Sequence, residues 1–234
     1  MDGTGLLFEP LLEALPGWLE PTVVAYPARE PLGYAELLPW VRDACPSASE
    51  FVVLAESFSG PLALMLAASE PSGLRGVSLC ASFIRCPWPA PLRRMAGAAR
   101  PLCFRLAPTW LARWALLGRH GTNRLNRLFA AAAATVTPEV MAARARAIAS
   151  VDVSAELRRT RVPLLYLAGG HDRVVGPSCL STIRRIKPYI EVVELPGPHL
   201  LLQACPVEAA YEVGQFIKRV ASGPKTGMSQ STSQ

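Results

Sequence analysis

Short apolar segments that alternate with amphipathic stretches constrain the fold of this chain more than any other feature. We predict strands over residues 22–26, 51–55, 74–81, 162–168 and 190–195. Helices are predicted around them, over residues 6–15, 34–44, 61–68, 179–186 and 207–220. Nearly continuous apolar strands separated by helices are typical of a parallel sheet that is covered on both faces. The sequence therefore predicts an α/β fold with a mostly parallel sheet covered by helices.

A strongly basic segment interrupts this alternation. Residues 85–150 hold eleven arginines, no lysine and one acidic residue, Glu139, so they carry a net charge of +10 in a chain whose total is +6. A helical block inserted after a strand is expected to cover the carboxyl ends of the strands, where open α/β sheets place their sites. We therefore predict a core of residues 1–84 and 151–221, and an inserted helical lid of residues 85–150, called the basic lid below. Residues 222–234 are polar and are predicted to be a disordered tail.

The clearest chemical motif lies where the strand at 51–55 meets the next helix. The segment Ala55-Glu56-Ser57-Phe58-Ser59 matches small-x-Ser-x-small, a form of the nucleophile elbow whose common version is G-x-S-x-G. Such a turn strains the backbone of the serine, so the residues two positions away on either side must be small. The following helix directs its N-terminal amides toward a developing oxyanion. Ser57 is therefore the candidate nucleophile, and Ser59 fits worse because Pro61 would flank it.

Two further candidate residues follow later strands. Asp172 comes in the loop after the strand at 162–168, and His199 lies between the strand at 190–195 and the last helix. Because each residue follows a separate strand, the three side chains are expected to converge at one edge of the sheet. The chain order Ser57, Asp172, His199 is that of α/β-hydrolases and differs from the orders in chymotrypsin-like and subtilisin-like enzymes.

With these residues in place, the chain resembles the α/β-hydrolase fold serine hydrolases of the small bacterial esterase type. The resemblance covers nearly the whole chain and is carried by the segments DGTGLLFEPLLEALP, LAESFSGPLAL, LAGGHDRVV and PGPHLLLQACPVEAAYEVGQFI. It implies a role for each candidate residue. Ser57 would attack an acyl carbonyl, His199 would accept and return its proton, and Asp172 would orient and stabilise the imidazolium.

The resemblance also implies an oxyanion hole made by backbone N–H groups at Phe58 and Met1. In this family a central strand ending in His-Gly or Pro-Gly normally precedes the DGTG-like loop, and this chain begins at that point. The N-terminal strands of the usual fold are therefore expected to be missing. Either the true start lies upstream, which we favour, or this is a shortened variant. Loss of one oxyanion donor typically lowers the rate by ~100- to 1000-fold.

Each of these polar residues also has a structural interpretation. Asp172 is placed to cap the next helix, and His199 fits a surface histidine with satisfied hydrogen bonds. Glu56 is interpreted as a polar residue at the sheet edge rather than as a second acid. His171 is interpreted as a loop residue, and the sequence identifies no partner for His120 in the basic lid.

The arginines of the basic lid leave two interpretations open. They would attract an anionic substrate or anionic lipid headgroups, with the tryptophans on the apolar side, or they would only solvate helices that pack over the site. No groove-reading motif accompanies them, so nucleic-acid binding is not expected. The sequence contains no phosphate-cradling loop, no dinucleotide fingerprint and no cluster of metal ligands, so no cofactor and no metal are expected.

The cysteines and the hydropathy pattern bear on the compartment. The six cysteines form no CxxC pair and no zinc-type spacing. The sequence also shows no apolar run long enough for a membrane span and no secretory signal. We therefore expect reduced thiols in a cytoplasmic protein.

These observations predict a cofactor-free serine hydrolase that cleaves carboxylic esters through an acyl-enzyme intermediate. The lid, rich in Leu, Ala and Trp, is expected to form the acyl pocket and to exclude water. One alternative is a thioesterase whose basic lid attracts a phosphorylated acyl carrier. Another is a non-catalytic, hydrolase-like binding protein, because this scaffold hosts several functions.

Overall fold

A four-stranded parallel sheet forms the centre of the computed structural model, which describes residues 2–222. Its strands lie side by side in chain order, β1-β2-β3-β4. They are β1 (Phe51–Glu56), β2 (Leu74–Cys80), β3 (Leu164–Gly169) and β4 (Glu191–Leu195). Four of the five predicted strands are thus confirmed, and the parallel sheet with them.

Helices connect the strands and complete the chain. Two short 3-10 turns lie at Leu6–Phe8 and Gly118–His120. The helices of the predicted core are α1 (Glu9–Ala14), α2 (Tyr34–Asp43), α3 (Ser59–Ala67), α9 (Ser154–Arg159), α10 (Pro177–Ile186), α11 (Leu201–Ala204) and α12 (Pro206–Ser222). Those between residues 85 and 150 are α4 (Ala90–Gly97), α5 (Pro101–Leu106), α6 (Thr109–Leu117), α7 (Asn123–Thr135) and α8 (Pro138–Ser150).

Both faces of the sheet are covered, as continuous apolar strands predict. Alternate strand residues, such as Leu165 in β3, face one side of the sheet and pack against α1, α11 and α12. Phe216 of α12 is a large buried side chain on this side. The strand residues between them, such as Val77 in β2, face the opposite side of the sheet and pack against α3, α9 and α10. Burial of alternate side chains on two faces removes apolar area from water on both sides and holds the strand ends at one edge.

The strand predicted over residues 22–26 is wrong. The structure assigns these residues no strand and no ladder within residues 2–222. A strand needs a hydrogen-bonded neighbour, and β1 is the last strand of the described sheet on this side. The Tyr26 N–H donates instead to the Gly3 carbonyl, at 2.7 Å. The β-branched composition of the segment therefore predicted a strand that has no pairing partner among the described residues.

The division into a core and the basic lid stays a prediction. The regular elements that the structure assigns between residues 85 and 150 are helices. Its two ends meet where Arg85 and Asp152 form an isolated antiparallel bridge and an ion pair at 3.0 Å. Helix α8 is largely buried, with α4 and α5 packed on it. Ser222, predicted to begin the tail, is the last residue of α12, and the rest of the predicted tail lies outside the described residues.

Candidate active site

The turn between β1 and α3 places Ser57 in a left-handed conformation. Its φ is 52°, a value that side-chain-bearing residues adopt rarely and at a cost of about 1 kcal/mol or more. Three hydrogen bonds hold the turn. The Ser57 N–H donates to the Cys80 carbonyl at 2.9 Å, and the Ser57 carbonyl accepts from the Gly60 N–H at 3.1 Å and from Ser82 Oγ at 2.8 Å. The strained turn expected from the motif is therefore present, and β2 fixes it.

A chain of two hydrogen bonds joins the three residues selected from the sequence. Ser57 Oγ lies 2.8 Å from His199 Nε2, and His199 Nδ1 lies 2.9 Å from Asp172 Oδ2. The side chains of His199 and Asp172 are 2% and 4% exposed. The three residues come from the ends of β1, β3 and β4, which lie at the same edge because the strands are parallel.

The second carboxylate oxygen of Asp172 is held by its own loop. Asp172 Oδ1 accepts from the N–H groups of Val174 at 2.7 Å and Val175 at 2.9 Å. The N-cap of α10 is Gly176, so Asp172 does not cap that helix. The carboxylate is thus aimed at His199 by the two backbone donors, and the buried imidazole does not fit the surface alternative.

The backbone at Phe58 follows the nucleophile and leads into α3. Phe58 is the N-cap residue of α3, where helix N–H groups have no acceptor within the helix. Its ring is buried, stacks on Tyr34 with ring centroids 4.6 Å apart, and meets Tyr26 edge-on at 6.3 Å. The second oxyanion donor expected from the resemblance, Met1, lies outside the described residues.

Glu56 connects the elbow to the segment that follows His199. Its carboxylate accepts from Gln203 Nε2 at 2.9 Å and from the Leu202 N–H at 3.3 Å. Burial raises the pKa of Glu56 above its ordinary value of 4.5, while the bond from Gln203 and the nearby His199 oppose that rise. The sequence predicted a polar residue at the sheet edge, and Glu56 is the last residue of β1, an outer strand of the described sheet. Its carboxylate ties the elbow to α11.

Arg144 is a neighbour of this site that sequence reasoning missed. This α8 residue is 0% exposed, and its guanidinium donates to the carbonyls of Asp2 at 2.6 Å and Pro27 at 3.0 Å. Its central carbon lies 5.9 Å from the centre of the Phe58 ring. A signal was available, because Arg144 occupies the same helical face as Val140 and Ile148 at a spacing of four.

The tryptophans of the basic lid do not form the expected pocket together. Trp110 and Trp114 are 61% and 55% exposed, and only Trp88 packs against the buried core. His120 and His171, for which no site role was expected, lie with ring centroids 5.3 Å apart. Burial lowers the pKa of His120, and the positive charges around it act in the same direction.

No cluster of three or more His, Cys, Asp or Glu side chains with metal-binding geometry occurs in the described part of the chain. Within residues 2–222, no helix combines the length and the apolar character that crossing a bilayer requires.

Comparison with known proteins identifies the fold. No protein-family model and no curated protein sequence matches the chain. Among solved structures, a thermophilic esterase from Thermogutta terrifontis is similar at 19% identity and a TM-score of 0.72, over 93% of this chain and 86% of that one. A bromoperoxidase from Bacillus anthracis is similar at 13% identity and a TM-score of 0.73, over 92% and 88%. An aryl esterase proposed in Burkholderia cenocepacia is similar at 18% identity and a TM-score of 0.70, over 95% of this chain and 89% of that one.

The chain therefore has the α/β-hydrolase fold, as the sequence resemblance predicted. The sheet of this fold usually has eight strands, and residues 2–222 supply four of them. The four that are described include every strand end that carries Ser57, Asp172 or His199.

Proposed function

We propose that this protein is a serine hydrolase that cleaves small-molecule carboxylic esters. The observation that carries the proposal is the relay of hydrogen bonds from Ser57 Oγ through His199 to Asp172, at 2.8 and 2.9 Å. The names of several structural neighbours, which include esterases, support the same reaction class.

In the proposed mechanism, Ser57 Oγ attacks the ester carbonyl while His199 Nε2 accepts the hydroxyl proton. Asp172 stabilises the imidazolium through the bond to Nδ1, and the Phe58 N–H donates to the carbonyl oxygen as it becomes negative. The protonated His199 gives its proton to the departing alkoxide, which leaves an acyl-enzyme. Water then attacks the acyl carbon, His199 accepts a proton from it, and the acid leaves as Ser57 regains its hydrogen.

The burial of the relay favours this chemistry. Imidazole and carboxylate side chains that are almost fully shielded from water interact more strongly than exposed ones. The two backbone donors to Asp172 Oδ1 hold the carboxylate so that Oδ2 faces His199 Nδ1. No cofactor has a part in any step.

The test is hydrolysis of an aryl ester by the wild-type chain, Ser57→Ala and Ser59→Ala, together with labelling by a fluorophosphonate. Ser59 is a matched control because it lies two residues away and accepts a hydrogen bond from Tyr26 instead of contacting His199. We expect Ser57→Ala to lose labelling and to lower kcat by about 10,000-fold or more. Ser59→Ala should retain both. Equal turnover by wild type and Ser57→Ala would refute the proposal.

A thioesterase that acts on a phosphorylated acyl carrier is the alternative favoured by the charge of the basic lid. Eleven arginines against one acidic residue would attract such a carrier. Turnover of a carrier-linked thioester should then fall steeply with added salt, because screening weakens the attraction between exposed charges. A salt-insensitive rate would contradict this alternative. Folded wild-type protein that resists fluorophosphonate would favour the non-catalytic binding function.

A further inference from the structure

Three helices of the basic lid turn apolar side chains toward the solvent. No residue of α4 or α5 is buried, and the buried residue of α6 is Leu117 at its end. The exposed large apolar side chains of these helices include Leu92, Met95, Leu102, Leu106, Trp110 and Trp114. Each helix contributes a pair spaced by three or four positions, so each pair lies on one helical face. The outer faces of α4–α6, residues 90–117, are called the lid surface below.

The lid surface is also uniformly basic. Residues 90–117 contain no acidic residue, and their arginines are Arg93, Arg94, Arg100, Arg105 and Arg113. The one described acidic partner comes from outside the segment, since Glu139 of α8 lies 3.7 Å from the Arg105 guanidinium. Two copies of this surface would repel each other, because each carries five positive charges and none that is negative.

The inner side of the same helices is attached to the rest of the protein. Arg93 Nε donates to the Ala149 carbonyl at 3.0 Å, and Arg146 Nη1 donates to the Ala99 carbonyl at 2.6 Å. These bonds and the packing on α8 fix which side of α4 and α5 faces inward. The apolar side chains on the outside therefore do not contribute to the core, where burial of Leu or Trp would stabilise the fold.

We propose that the lid surface is a peripheral binding site for bilayers that contain anionic lipids. Helices with Leu and Trp exposed among arginines lie in the headgroup region, with apolar side chains inserted and guanidinium groups at the phosphates. An exposed patch of this kind marks an interaction site. An acidic protein would use the arginines, but it would leave the spaced apolar pairs without a role. Lipid uses both.

The lid surface lies next to the candidate active site. The Leu200 N–H, one residue after His199, donates to the Leu116 carbonyl of α6 at 3.0 Å. Arg173, beside Asp172, places its guanidinium 4.6 Å from the centre of the Trp114 ring. A bilayer bound here would bring dissolved esters to the site. Lipid binding goes beyond the proposed hydrolysis and does not require it.

The experiment is co-sedimentation of the full chain with two vesicle types. One type is phosphatidylcholine alone and the other is phosphatidylcholine mixed with phosphatidylglycerol. We expect binding to the mixed vesicles and a loss of that binding in high salt. The charge variant is Arg100→Gln with Arg113→Gln, which should weaken binding about 30-fold, since each basic residue near an anionic surface contributes a factor of about five.

The apolar variant is Leu106→Ser with Trp110→Ser, which should weaken binding at least about tenfold, because two inserted side chains are lost. Trp40→Ser and Arg42→Gln on α2 are the matched controls, since both residues are exposed but lie outside the basic lid. Both controls should bind as the wild type does. Thermal unfolding of every variant shows whether it remains folded.

Three results would overturn the proposal. The first is no binding to either vesicle type, or equal binding to both. The second is binding that falls with the charge variant and not with the apolar variant, which would indicate electrostatic adsorption without insertion of the apolar side chains. The third is a wild-type dimer in sedimentation that the apolar variant dissociates, which would assign the lid surface to a second copy of the chain.

Discussion

Arg144 provides a sharp test of how the basic lid supports the elbow. Its buried guanidinium donates to the carbonyls of Asp2 and Pro27, at 2.6 and 3.0 Å, and lies beside the rings of Tyr26 and Phe58. Arg144→Met keeps most of the apolar stem of the side chain and removes every donor. The change therefore isolates the polar contacts that join α8 to the loop at residue 2 and to the segment before α2.

The expected loss of unfolding free energy in Arg144→Met follows from those contacts. A hydrogen bond from a charged donor contributes about 1.5–3 kcal/mol, and the substitution removes the two that the guanidinium donates to Asp2 and Pro27. The methionine offsets part of this, because no charge has to be buried. Burial lowers the pKa of Arg144, because the same desolvation that makes the buried charge costly disfavours the protonated guanidinium. We expect the free energy of unfolding to fall by about 3 kcal/mol, a large share of the stability of an ordinary domain.

The assay is urea unfolding of the wild type, Arg144→Met, Arg144→Lys and Arg105→Met. Arg144→Lys keeps the charge but lacks the planar fork, so its stability should lie between wild type and Arg144→Met. Arg105 is the matched control from the same lid, since its side chain is 66% exposed and 3.7 Å from Glu139. Its loss should cost less than about 1 kcal/mol. If Arg144→Met is no more destabilising than Arg105→Met, the contacts described here do not hold the loop.

Two further substitutions test the elbow itself. Because burial raises the pKa of Glu56, the folded state binds its proton more tightly than the unfolded state, and stability is lost as pH rises above about 4.5. Glu56→Gln removes that loss, so its stability relative to wild type should increase from acid to neutral pH in urea titrations; a constant difference would contradict this. A Cβ at Gly60 would lie 1.8 Å from Ser82 Oγ, so Gly60→Ala should destabilise by about 1–3 kcal/mol or more. Gly17→Ala, with open space around it, should change thermal stability little, and equal effects would refute the packing argument.

The sheet and the convergence of the relay could be predicted because they depend on local patterns. Apolar period and chain order identify four parallel strands, and parallel strands bring their carboxyl ends to one edge. Ser57, Asp172 and His199 follow strands of one parallel sheet, so their loops meet at the same edge although β1 is not adjacent to β3 or β4. Residues 22–26 show the limit, since composition indicates extended backbone but pairing depends on a neighbour elsewhere in the chain.

Side-chain direction in the basic lid could not be predicted from composition. An amphipathic helix has an apolar face, but its sequence does not say whether that face meets the core or the solvent. The Leu-, Ala- and Trp-rich lid is therefore expected from sequence to form the acyl pocket, whereas its Trp110 is mostly exposed. Arg144 was missed for the opposite reason, because its charge outweighed its helical position between Val140 and Ile148.

The two halves of the proposed chemistry depend on different parts of the molecule. The relay is held by β1, β3, β4 and their loops, with Glu56 bound to Gln203 and the Ser57 carbonyl bound to Ser82. The region around Phe58 depends instead on the loop at residues 2–5, on Tyr26 and on Arg144 from the basic lid. The contacts that hold the relay and the contacts that hold the Phe58 region thus come from different parts of the chain. The Phe58 region, to which the proposed mechanism assigns an oxyanion donor, is held by segments far apart in sequence, and the lid helix α8 is one of them.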